Sequence, residues 1–103
     1  MRAKTSPPGK IPVENVNHPG AVRLVDASMY VAMRRAVLGA LPSSAPGITL
    51  AELHERILPT LPTALFPGGA KAGWWLKTVQ LDLEAKGTVI RTKSSPLRLS
   101  RTR

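Results

Sequence analysis

Proline and glycine limit what this chain can build, because each one ends or weakens a regular element. Ten prolines and eight glycines are spread over 103 residues. They leave three windows long enough for a helix: residues 26–41 before Pro42, 49–58 before Pro59, and 70–86 before Gly87. Pro42 and Pro46 also break the longest uncharged run, between Arg35 and Glu52. That run falls short of the about 20 apolar residues a membrane span needs. The N-terminal residues carry charge but no apolar stretch of the kind a signal peptide requires. A cytoplasmic protein with no membrane role is the expectation.

Each window carries a helical signal. Asp26 is a good N-cap, and Tyr30, Met33, Val37 and Leu41 then recur at spacings of three and four, one apolar stripe. In the second window Thr49 followed by Glu52 fits a capping box, and Leu50, Leu53 and Ile57 share a face. Ile48, just before that cap, suits either a brief strand or a hydrophobic staple. In the third window Ala72, Leu76, Val79 and Leu83 form the core stripe. Lys71, Trp74, Lys77, Thr78 and Leu81 fall opposite, with Trp75 at the stripe's edge. Residues 59–69, with three prolines and two glycines, join the second and third windows as an ordered loop or short helical turn.

Outside the windows the pattern is extended. Residues 13–16 and 21–25 suggest two short strands around a turn at Asn17-His18-Pro19-Gly20. After Gly87, residues 88–92 are β-branched and apolar, Lys93-Ser94-Ser95-Pro96 is a turn, and residues 97–101 alternate apolar with polar. This predicts a C-terminal β-hairpin with a basic outer face. The fold class is therefore α+β, mainly helical: a flexible basic arm over residues 1–12, then a single domain over 13–103.

The formal net charge is +9, from 15 basic and 6 acidic residues, and it is unevenly placed. Arg2, Lys4 and Lys10 occupy the N-terminus with no acid, and Lys86, Arg91, Lys93, Arg98, Arg101 and Arg103 follow residue 85 with no acid. Between these ends the charges balance. A neutral body with two basic ends suits a polyanionic partner, nucleic acid before a membrane surface. The alternative is a pair of solvated basic tails with no partner.

Catalysis finds little support. With no cysteine and two histidines, His18 and His54, disulfide scaffolds, thiolate metal sites and cysteine nucleophiles are excluded. No triad, metal-ligand spacing or dinucleotide fingerprint occurs. No enzyme activity, cofactor or metal is expected.

Three features suit a polyanion. Gly68 and Gly69 precede the third helix, where free amides favour a phosphate; the plain alternative is a turn. Lys71, Trp74, Lys77 and Thr78 share the helix's outer face, with lysines for phosphate or guanine and Thr78 for a base edge. Trp74 would either meet nucleic acid, pack beneath residues 11–25, or sit at a homodimer interface with Leu81. Arg91, Lys93, Arg98 and Arg101 belong to the hairpin. If four to six such charges neutralise phosphates, log affinity falls with log salt at a slope of about −4 to −5.

Three helices followed by a basic hairpin resemble a winged helix-turn-helix domain. Leu83-Glu84-Ala85-Lys86-Gly87 resembles the close of its recognition helix, Val89-Ile90-Arg91 the first wing strand, and Leu97-Arg98-Leu99 the second. The resemblance implies duplex DNA binding through the third helix and the wing, as in a transcriptional regulator. RNA is the lesser expectation, since aromatic residues make up only 4% and offer few stacking platforms. The competing expectation is a protein-interaction module or homodimer built on Trp74 and Leu81. One departure from the pattern is the roughly eleven-residue link between Leu58 and Ala70, where a tight helix-turn-helix has about three or four residues. From Ile11 onward the chain also resembles a small bacterial family of uncharacterised function, through Phe66-Pro67-Gly68-Gly69-Ala70-Lys71-Ala72-Gly73-Trp74-Trp75.

Overall fold

Asp26 starts the first helix by accepting from the Met29 amide at 3.0 Å and the Ser28 hydroxyl at 2.8 Å. These two bonds stabilise the carboxylate and lower its pKa. The helix, α1, runs Ala27–Ala40 and buries Tyr30, Met33 and Val37, with Leu41 buried just beyond it. The computed structural model describes residues 9–102. Residues 1–8 of the expected arm lie outside them.

The second helix, α2, spans Leu50–Ile57. Its capping box is complete: Glu52 accepts from the Thr49 amide at 2.9 Å, and Thr49 accepts from the Glu52 amide at 3.2 Å. The Thr49 amide, then its hydroxyl, lower the pKa of Glu52. Ile48 belongs to a two-residue strand, β3, Ile48–Thr49. The link to the next helix holds two 3-10 turns, Leu58–Thr60 and Pro67–Gly69, and buries Leu61 and Phe66. Helix α3 spans Ala72–Ala85.

Two sheets complete the fold. Strand β1, Lys10–Val13, pairs antiparallel with β2, Arg23–Asp26, Ile11 opposite Val25. Residues 10–12 are thus strand, not arm, and the first extended piece lies three residues earlier than the expected 13–16. The chain turns between the strands through bonds from His18 to Asn15 and from Ala21 to His18. The second sheet has the order β3-β5-β4, with β4 at Val89–Thr92 and β5 at Arg98–Arg101. Its core-side residues Ile48, Val89 and Leu99 join Met33, Val37, Leu53, Ile57, Leu76, Val79 and Leu83 in one apolar core. The result is an α+β domain with three helices and two small sheets.

The expected basic outer face of the hairpin needs correction. Residues directly opposite in an antiparallel pair project to the same side. Arg91 is opposite Leu99, which is fully buried, and Arg101 is opposite Val89, also buried. Both arginines therefore share the core-side face. Arg98, opposite Thr92, takes the outer side.

Candidate functional site

The outer face of α3 divides into two halves. From Val79 to Leu83 every residue is buried, including Gln80, Leu81 and Asp82. Leu81, expected on the outer face, is covered by the segment after β1, whose Val16 amide reaches the Leu81 carbonyl at 3.3 Å. Asp82 explains why that segment docks there. Its buried carboxylate accepts from the Glu14 amide at 2.8 Å, from the Tyr30 hydroxyl and from the Lys86 ammonium. Burial and the Asp82 bond together push the Tyr30 hydroxyl pKa well above its ordinary value.

The N-terminal half of α3 stays open. Lys71, Gly73, Trp74 and Lys77 are exposed and Thr78 is half-buried. Lys71 is the N-cap and adopts a left-handed conformation, φ 63°, rare for a residue with a Cβ. Trp74 is 49% exposed. Its ring meets Trp75 edge-on at 5.0 Å, and the Arg23 guanidinium lies 5.8 Å from its centre. Trp74 thus packs partly beneath the N-terminal segment and remains half open. Arg23, 51 positions away in sequence, carries no local signal for this contact.

Gly68 and Gly69 offer at most one free amide between them. They belong to the 3-10 turn ahead of α3, and the Gly69 amide is spent on the Phe66 carbonyl at 2.9 Å. The Ala70 amide is likewise bonded to Pro67 at 3.0 Å.

Most hairpin arginines are engaged within the chain. Arg91 grips Glu84 through two bonds, 2.9 and 3.1 Å. Arg98 donates to the Gly47 carbonyl at 3.2 Å and lies 3.8 Å from Glu52. Arg101 donates to the Leu41 carbonyl at 3.3 Å. Lys93, in the turn, is exposed. The structure therefore brings Lys71, Trp74, Lys77 and Thr78 together and leaves the three arginines elsewhere. Glu84, the anchor of Arg91, is ten residues along α3 from Trp74, about 15 Å by helical rise.

Residues 10–99 match a family of unknown function, DUF6958. The chain belongs to the DUF6958 family. No curated protein and no solved structure matches it. Among the described residues of this DUF6958 protein, no helix is long and apolar enough to cross a membrane. No group of three or more His, Asp or Glu gathers as metal ligands among them either.

Proposed function

We propose that this DUF6958 protein is a winged-helix, nucleic-acid-binding domain that takes duplex DNA on the open half of α3. The carrying observation is that Lys71, Trp74 and Lys77 stand exposed at spacings of three over the N-cap and first turns of a helix that is buried from Val79 to Leu83. Support for a winged helix comes from the element order α1-β3-α2-α3-β4-β5, with β5 between β3 and β4. Lys71 and Lys77 would meet phosphate or guanine edges, Thr78 a base edge, and Lys93 at the hairpin tip a second stretch of backbone. Arg98, on the outer strand face, would add a contact only by leaving Gly47 and Glu52. Regulation of transcription is the role this reading favours.

The cations open to a phosphate are fewer than composition suggests. With Lys71, Lys77 and Lys93 engaged, the salt slope becomes about −3 rather than −4 to −5. Fluorescence anisotropy of a labelled random duplex at rising salt measures it. Binding at low salt with that slope, weakened by Lys71→Glu and Lys77→Glu on every sequence alike, is expected. No affinity for duplex at low salt would overturn the proposal. A homodimer or interaction module on Trp74 and Leu81 is less well supported, since its own chain covers Leu81.

A further inference from the structure

Between α3 and the β1–β2 connection lies a cleft of about 400 Å³, within the range of small-molecule sites. Trp74, Lys77 and Thr78 form its helix side, and His18, Val22 and Arg23 face them. The Trp74 ring is fixed by Trp75 and Arg23 yet keeps half its surface open. Val22, 63% exposed, adds an apolar lip. An aromatic platform held in place before anything binds loses little entropy on binding.

The charge within the cleft is positive. Neither Arg23 nor Lys77 takes part in an ion pair among the described residues. The acid at the cleft's edge, Glu14, is one charge against the two of Arg23 and Lys77, and it lies 3.8 Å from Lys86, which also holds Asp82. His18 and Thr78 add hydrogen-bonding groups. Apolar and aromatic walls with a few convergent polar groups are the usual make-up of a ligand site.

We propose that this cleft binds a small planar aromatic anion. The ring lies against the open surface of Trp74 and against Val22, and the acid group is held by Arg23 and Lys77. The guanidinium suits a planar carboxylate or a phosphate, which it can bind through two parallel bonds. A ligand seated here covers Trp74 and Lys77 and so competes with any duplex on α3. The binding itself does not depend on duplex recognition.

Two probes separate the possible acid groups: 2-naphthoate for carboxylates and adenosine 5′-monophosphate for phosphates. Each is titrated into the ¹⁵N-labelled full chain, with 2-naphthamide and adenosine as neutral counterparts. At least one anion should shift the Trp74 indole N–H and the amides of Val22, Arg23 and Lys77, saturating near or below about 1 mM. Its neutral counterpart should bind about tenfold more weakly. Arg23→Gln and Lys77→Gln should each weaken the anion about five- to tenfold, and Arg35→Gln on α1 should leave it unchanged. The responding probe identifies the acid group. The proposal is overturned if neither anion shifts these signals by about 5 mM, if the neutral compounds bind equally well, or if both cleft variants keep full affinity.

Discussion

Gly47 is a position with no substitute. Its φ is +89°, and a Cβ there would stand 1.9 Å from the Leu99 carbonyl oxygen. Backbone, not a yielding side chain, is what blocks it. Gly47→Ala should cost at least about 3 kcal/mol in denaturant unfolding, since it combines a left-handed conformation with a clash. Lys71 presents the reverse case, a side chain where glycine is easier. Lys71→Gly should be neutral or stabilise the fold by up to about 1 kcal/mol while weakening duplex binding. Those opposite signs separate backbone strain from charge. Tyr30 is the chain's single tyrosine, so its ionisation can be followed alone by absorbance near 295 nm. Its folded pKa is raised, so its contribution to stability is complete below the unfolded value near about 10 and is lost as pH rises further. Tyrosinate should therefore appear together with the loss of folded circular dichroism, not before it.

At the scale of elements, the caps and stripes of α1 and α2 are legible because they are local. Asp26 and the Thr49–Glu52 box need only the next three residues to declare themselves. Thr49→Ala should destabilise the fold by about 1 kcal/mol by thermal melt. Both capping carboxylates have depressed pKa values. Their contribution is present above the unfolded carboxylate pKa, about 4, and fades as pH falls through the lower folded values, so acid should fray the two helix starts first. The faces of β4 and β5 were only partly legible. Alternation places Leu99 and Arg101 on one side within β5, but the register that sets Arg91 against Leu99 is a pairing property. The local Lys86, four residues on, does not reveal that Asp82 is buried, because the partners that bury it, Glu14 and Tyr30, lie 68 and 52 positions away. Asp82→Ala should cost about 3 kcal/mol and release the segment around Glu14, read as faster amide exchange there than in α2.

Across the whole molecule, the uneven charge seen in the sequence becomes something narrower. Arg91, Arg98 and Arg101 bind Glu84, Gly47, Glu52 and Leu41, and so join the hairpin to α3, α2 and the end of α1. They hold parts together as well as carrying charge. Composition could reveal their sign but not their internal partners, which are set by tertiary packing. Arg91→Glu should therefore lower the melting temperature while leaving the salt slope of duplex binding at about −3. The sheet carries one more consequence. β3 and β4 each pair with β5 and not with each other, and β5 follows every helix in the sequence. A chain emerging N-terminus first presents all three helix segments before the strand that joins β3 and β4. The two outer strands can therefore be joined only once residues 98–101 are available, so this sheet depends on the most C-terminal of its strands.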